Sequence, residues 1–198
     1  MIGTNCYLVI NEETKESVMV DPGAYPAKVK NAVKEQGLKL KAVLLTHAHF
    51  DHIMGLSDVM EDVKVPVYVE EADLPMMTDG ESNLSSTYVR GGYRFEEAVR
   101  SVMATAGNCR FTVPCDPYTG DIHRVGCCYY MEQEGVLFSG DTLFQTSVGR
   151  SDFPGGSASA LVRSVKEKLL VLPEETHVYP GHMEETTIGY EKLHNPFI

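Results

Sequence analysis

Apolar residues cluster at strand spacing over Cys6 to Ile10 and again over Ser17 to Val20, and the polar stretch Asn11-Glu12-Glu13-Thr14 between them predicts a hairpin. The turn Asp21-Pro22-Gly23 closes the second strand. Pro26 then suits a first helical turn, and Val29, Ala32 and Val33 recur at helical spacing up to Gly37. A buried strand over Ala42 to Leu45 follows at once. Further along, Val65 to Val69 reads as a strand. Tyr129 to Met131 and Val136 to Phe138 read as a hairpin turning at Glu134-Gly135. A helix is predicted over Ala158 to Val171, stopping before Pro173, then a short strand at Val178-Tyr179 and a closing helix over Thr187 to Leu193. Residues 88–122 hold neither period for long, and only a helix over Phe95 to Met103 is predicted there.

The alternation of strands and helices predicts sheets covered by helices, and a length of 198 residues fits one domain, 1–198, with 88–122 as an atypical segment inside it. No apolar run reaches the roughly 18 residues of a membrane span. The opening MIGTNCYLVI lacks a basic start, so no secretory leader is expected. Net charge is −11, which repels phosphate backbones and argues against nucleic-acid partners. The five cysteines, Cys6, Cys109, Cys115, Cys127 and Cys128, show no CxxC spacing. They fit a reduced cytoplasmic protein.

One segment changes the picture. Thr46-His47-Ala48-His49-Phe50-Asp51-His52 directly follows the apolar strand. Three imidazoles and a carboxylate that close together are costly to bury unless something satisfies them, and they are the donors that zinc, iron or manganese take. A solvated histidine-rich loop is the plainer alternative, and the buried strand before it argues against that. Asp141 and His182 also stand just past apolar strands, in FSGDT and YPGH. Alone, each would read as a helix-capping aspartate or a structural histidine. His123 is the only histidine between His52 and His177. Arg150, in GRSD, suits either an anionic substrate group or a pair with Asp152.

HAHFDH fits the HxHxDH signature, and TNCYLV, VDPG, GVLFSGDTLF, VGRSDFPGGS, VYPGH and TTIGYEKLHNPF agree with it. On these motifs the chain resembles the metallo-β-lactamase-fold hydrolases, in particular the short bacterial glyoxalase II-like (hydroxyacylglutathione hydrolase-like) branch. The resemblance covers about residues 3 to 84 and 124 to 198. It implies an α+β fold, a four-layer αββα sandwich with the metal site at one edge of the sheets. It also implies that His47, His49 and His123 hold one metal, that Asp51, His52 and His182 hold a second, and that Asp141 bridges both. His177 and His194 match no ligand position. Before Cys127-Cys128-Tyr129-Tyr130 the chain departs from the family's third-histidine turn, so that ligand falls at Ile122 or His123. Residues 88–122 therefore read as a frame error or a local divergence.

The implied activity is hydrolysis of a thioester such as S-lactoylglutathione by a hydroxide held on two divalent ions, zinc in first place, with iron or manganese as the other choices. Asp51 would orient the nucleophile and Arg150 would meet a glutathione-derived substrate. No membrane or nucleic-acid partner is expected. Two other readings remain open: an iron-dependent persulfide dioxygenase of the same fold, which GRSDF also resembles, and a metal-poor degenerate member if the third ligand is lost. The chain opens at the first recognisable strand, so a few residues are expected before it. It ends soon after His182, so the helical extension that larger glyoxalase II enzymes use for glutathione is expected to be absent.

Overall fold

The computed structural model describes residues 3–102, 112–114, 126–152 and 157–198. They fall into two compact units, Met1–Ser101 and Val102–Ile198. In the first unit, β1 (Tyr7–Ile10) and β2 (Glu16–Val20) form the expected hairpin, with Tyr7 opposite Val20 and Ile10 opposite Ser17. Asn11 shapes the turn, its Oδ1 accepting from the Glu13 and Thr14 amides. After β2 the chain crosses through α1 (Ala27–Glu35) and returns as β3 (Lys39–Leu44), parallel to β2. β3 starts three residues before the strand read from the sequence. Lys39 and Lys41 point to solvent, while Leu40 and Val43 are buried, so the apolar run shows only half of the strand.

Two short helices, α2 (Phe50–Ile53) and α3 (Leu56–Asp62), then lead to β4 (Val67–Glu70), which pairs parallel with β3. The sheet order is β1-β2-β3-β4-β5, with β5 at Val99–Val102. Met19, Val43, Leu45, Ile53, Leu56 and Val59 pack at the centre of this unit, all without exposed surface. The helix expected over Phe95 to Met103 is not formed in the described part. The Phe95 amide donates to the Met77 carbonyl at 2.8 Å, and Val99 to Val102 are extended. β-branched Val99 and Val102 favour a strand, and so few apolar positions fit either period.

The second unit carries a sheet in the order β12-β11-β8-β7-β6. β6 is Thr112–Pro114, β7 Cys127–Met131 and β8 Val136–Gly140, and the β7–β8 pair is the expected hairpin, with Tyr129 opposite Phe138. A small two-stranded ribbon follows, β9 (Leu143–Phe144) against β10 (Ser147–Val148). The long helix read from the sequence is α4 (Ala158–Ser164), capped by Ser157, and it runs on as a π-turn over Val165–Leu169. β11 (His177–Pro180) pairs parallel with β8 and antiparallel with β12 (Thr186–Thr187). α5 (Ile188–His194), capped by Thr187, ends the fold. Cys128, Leu137, Leu143, Val165, Leu169, Val178 and Ile188 form this unit's core. No helix among the described residues is long and apolar enough to cross a membrane.

Candidate metal centre

In the first unit, parallel pairing of β2 with β3 puts the turn after β2 beside the segment that follows β3. Asp21, the first residue beyond β2, has φ +51°, a left-handed conformation that aspartate tolerates better than most residues. Its amide donates to the Leu44 carbonyl at 3.0 Å, which turns the carboxylate toward residue 46. There Oδ1 accepts from the Thr46 amide and Oδ2 from the Thr46 hydroxyl, both at 2.7 Å. Asp21 Oδ2 also lies 3.0 Å from His52 Nδ1, with both residues buried.

These contacts set the histidine tautomers. Thr46 has spent its one hydroxyl proton on Asp21, so its oxygen can only accept from His47 Nδ1, 3.1 Å away. The proton of His47 is thereby placed on Nδ1, and Nε2 is the unprotonated nitrogen. For His52, the carboxylate beside Nδ1 favours the proton there and leaves Nε2 as the unprotonated nitrogen in the same way. His47 Nε2 faces His49 Nδ1 at 2.9 Å, and the His47 and His52 rings lie 4.0 Å apart between centroids. His52 Nε2 is 3.7 Å from Asp51 Oδ2. Asp51 is held in turn by the Thr4 hydroxyl, which donates to Oδ2 at 2.7 Å. His49 Nδ1 can donate to the unprotonated His47 Nε2, and the Asp51 carboxylate lies beside His52, so imidazole nitrogens and a carboxylate of the kinds that ligate metals stand in one cluster. The donor set therefore fits a divalent metal.

Close backbone packing holds α2 in place. A Cβ at Gly23 would stand 1.7 Å from the Asp51 carbonyl oxygen, so that turn needs glycine. The Phe50 amide at the start of α2 donates to the Asn83 carbonyl at 2.9 Å. Asn83 is fully buried, and its side chain donates to the carbonyls of Met76 and Tyr93. Tyr88, 63% exposed, stacks on Phe50 with ring centroids 4.8 Å apart.

In the second unit, Gly140 adopts φ +51° at the end of β8, and its carbonyl accepts the Gly181 amide at 2.8 Å. That bond, next to the irregular pairing of Pro180 with Gly140, draws the ends of β8 and β11 together. Asp141 Oδ1 and His182 Nε2 consequently lie 3.5 Å apart. Gly149 packs against the same loop; a Cβ there would stand 1.8 Å from the Asp141 carbonyl oxygen.

The first unit thus gathers His47, His49, Asp51 and His52, and the second gathers Asp141 and His182. His123, Ile122 and the rest of 115–125 lie outside the described residues. Arg150 is exposed, and its guanidinium pairs through two bonds of 2.8 and 2.9 Å with Asp152. This pairing holds the Asp152 carboxyl below its ordinary range. His177 is exposed in β11, and His194 packs its ring 4.5 Å from Tyr190; both stand where the sequence places structural or surface histidines. Asp21 and Thr4 were not singled out in the sequence, although VDPG and TNC carry them. Each acts through contacts that cross 25 to 47 residues of chain.

A family model described as the metallo-beta-lactamase superfamily matches residues 2–182. The probable metallo-hydrolase YqgX of Bacillus subtilis is 34% identical, over 100% of this chain and 94% of its own. The hydroxyacylglutathione hydrolase GloC of Haemophilus influenzae is 30% identical, over 98% and 92%. Among solved structures, the BLEG-1 B3 metallo-beta-lactamase is 36% identical with a TM-score of 0.85, covering 99% of this chain and 96% of that one. TTHA1623 in a di-iron-bound form is 35% identical with a TM-score of 0.82, covering 100% and 96%.

Proposed function

Since the chain belongs to the metallo-beta-lactamase superfamily and has its fold, we propose that it is a thioesterase of the hydroxyacylglutathione hydrolase-like branch, acting on a glutathione thioester such as S-lactoylglutathione. The coarser statement, a metallo-hydrolase of this superfamily, is the ground it stands on. The reading assigns His47, His49 and His123 to one metal ion and Asp51, His52 and His182 to a second, with Asp141 shared. Zinc is the proposed metal; the di-iron form of a similar protein makes iron the alternative. The observation that supports the proposal is the tautomer relay, in which Asp21 and Thr46 hold the protons of His47 and His52 on Nδ1, so that Nε2 is the nitrogen each would offer to a metal.

Two divalent ions in such a site lower the pKa of bound water toward neutrality and polarise an acyl carbonyl. The chain's own residues have to orient the reacting groups. Asp51 is fixed at one oxygen by Thr4 and beside His52 at the same edge, so its carboxylate is held in place to orient a nucleophilic water. A thiol leaving group has a pKa of about 8.5, so it departs as thiolate without a dedicated acid. GloC, similar along nearly its whole length, supports a glutathione-derived substrate, and Arg150 is the proposed contact for its carboxylates once released from Asp152. The proposed setting is the cytoplasm, where glutathione is abundant and the thiols of Cys127 and Cys128 stay reduced.

The test pairs metal analysis of purified protein with S-lactoylglutathione cleavage in the absence of oxygen. About two metals per chain and thioester cleavage are expected. One iron per chain with oxygen consumption on glutathione persulfide would replace the hydrolase by a dioxygenase. β-Lactam turnover without thioesterase activity would move the substrate to the B3 lactamase class. No retained metal would leave a degenerate member.

A further inference from the structure

Beyond the ligands themselves, the second unit contains a buried carboxyl group that the proposed chemistry does not use. Glu191, on α5, has no exposed surface. Among the described residues its partners are neutral donors: the Thr186 hydroxyl to Oε1 at 2.6 Å, and the Thr146 amide and Asn195 Nδ2 to Oε2 at 2.9 and 2.7 Å. A carboxyl group is expensive to bury and is kept only where its acceptors are put to use. Here one oxygen is spent on β12 and the other on the turn between β9 and β10.

That turn is the tip of the ribbon that leaves Asp141. Thr146 has φ +52°, a conformation a β-branched residue holds only when its surroundings impose it. Glu191 accepts its amide, and Asn195 Nδ2, already on Glu191, donates to the neighbouring Ser147 carbonyl at 3.0 Å. The ribbon runs back to the ligand through close backbone contacts. Val148 pairs with Leu143, and the Gly149 amide donates to the Thr142 carbonyl. Gly149 abuts the Asp141 carbonyl with no room for a Cβ. Ser139 closes the other side, its hydroxyl donating to the Leu143 carbonyl at 2.7 Å.

We infer that Glu191 is a positioning residue for Asp141: with Asn195 it clamps the strained β9–β10 turn and so fixes the direction from which the Asp141 carboxylate leaves β8. This inference rests on the proposed role of Asp141 as a metal ligand. Thr186 serves as the internal control, because its bond to Glu191 reaches β12 and not the ribbon.

The test measures zinc retention against a chelating dye, with the unfolding midpoint of metal-free protein recorded beside it. Glu191→Ala should weaken retention about 10–100-fold, the usual effect of losing an outer-shell partner. Glu191→Gln should hold close to wild type, because its amide can donate to the Thr186 hydroxyl while its oxygen accepts from Thr146 and Asn195. Thr186→Val should lower the midpoint yet keep zinc. If Glu191→Ala does not fold, Asn195→Ala carries the same expectation. Wild-type retention in folded Glu191→Ala or Asn195→Ala overturns the inference, as does a loss in Thr186→Val as large as in Glu191→Ala. Asp141→Ala separates the two levels. If it loses zinc while Glu191→Ala keeps it, only the positioning role falls; if it keeps zinc, the ligand assignment falls and the inference with it.

Discussion

Replacing Asp21 by asparagine keeps the size of the side chain and changes the direction in which protons are passed. In the wild type both oxygens accept: Oδ1 from the Thr46 amide, Oδ2 from the Thr46 hydroxyl, with His52 Nδ1 3.0 Å from Oδ2. Asparagine has one oxygen, which the obligate Thr46 amide donor claims, and its NH2 then faces the hydroxyl and the imidazole. Thr46 must accept from that NH2 and donate to His47 Nδ1, which moves the His47 proton to Nε2. His52 likewise meets a donor at Nδ1 and is driven to carry its proton on Nε2. Two nitrogens proposed to bind metal are blocked by a change that replaces neither histidine. One altered outer-shell partner costs about 10–100-fold in metal affinity, so two flipped ligands put Asp21→Asn at the upper end, about 100-fold. Loss of the charge-assisted bond to the Thr46 hydroxyl should also cost metal-free protein roughly 1.5–3 kcal/mol. Chelator competition and urea unfolding of the metal-free protein measure the two effects separately. A folded Asp21→Asn protein that holds zinc as tightly as wild type would refute the relay, whatever its stability.

The other predictions are simpler. Asp51→Ala and His52→Ala should each abolish thioesterase activity while leaving the fold, and unchanged turnover in both would remove the proposed chemistry. Arg150→Ala should change unfolding free energy by less than about 1 kcal/mol, because the pair with Asp152 is exposed, and should raise KM rather than lower kcat in a steady-state assay. Lys30 and Lys34, at 2.9 and 3.1 Å, hold the Asp62 carboxyl below its ordinary value of 3.8. A depressed carboxyl stabilises the fold above its unfolded pKa and loses that effect as pH falls through the folded one. Asp62→Asn should therefore flatten the fall of stability below about pH 4, seen in urea midpoints across that range. Tyr88→Ala should alter KM for thioesters of different acyl size with little effect on folding, because its ring is mostly exposed and stacks on Phe50, next in sequence to the proposed ligands His49 and Asp51.

Much of this architecture was legible because local pattern and tertiary environment agree. The β1–β2 and β7–β8 hairpins, α1, α4 and α5 all follow apolar spacing and turn chemistry visible in a single stretch of chain. The HAHFDH segment was legible for another reason: its donors are crowded into six residues, so no folding was needed to see them together. What escaped is what depends on contacts between distant residues. β3 was read short because its outward lysines mask the alternation. The sequence predicts helix over Phe95 to Met103 because the strand at Val99–Val102 depends on its place at the sheet edge and on Phe95 bonding back to Met77. Asp21 looked like a turn residue until parallel pairing of β2 and β3 carried it to Thr46 and His52. Glu191 looked like an ordinary charge in the first turn of a helix, and only its burial shows otherwise.

Gly23 and Gly149 give the proposed ligands in each unit a shared weakness to mutation. Each lies against the carbonyl of an aspartate, Asp51 or Asp141, at a distance no Cβ can share. Any missense change at these codons introduces a Cβ, so no conservative replacement exists for either residue. An imidazole or carboxylate ligand can at least be exchanged for another donor, with some loss of affinity. These glycines have no such neighbour in sequence space. The positions least able to drift in a lineage are thus two that carry no functional group, and a saturation library selected for activity should be emptied there as completely as at the histidines.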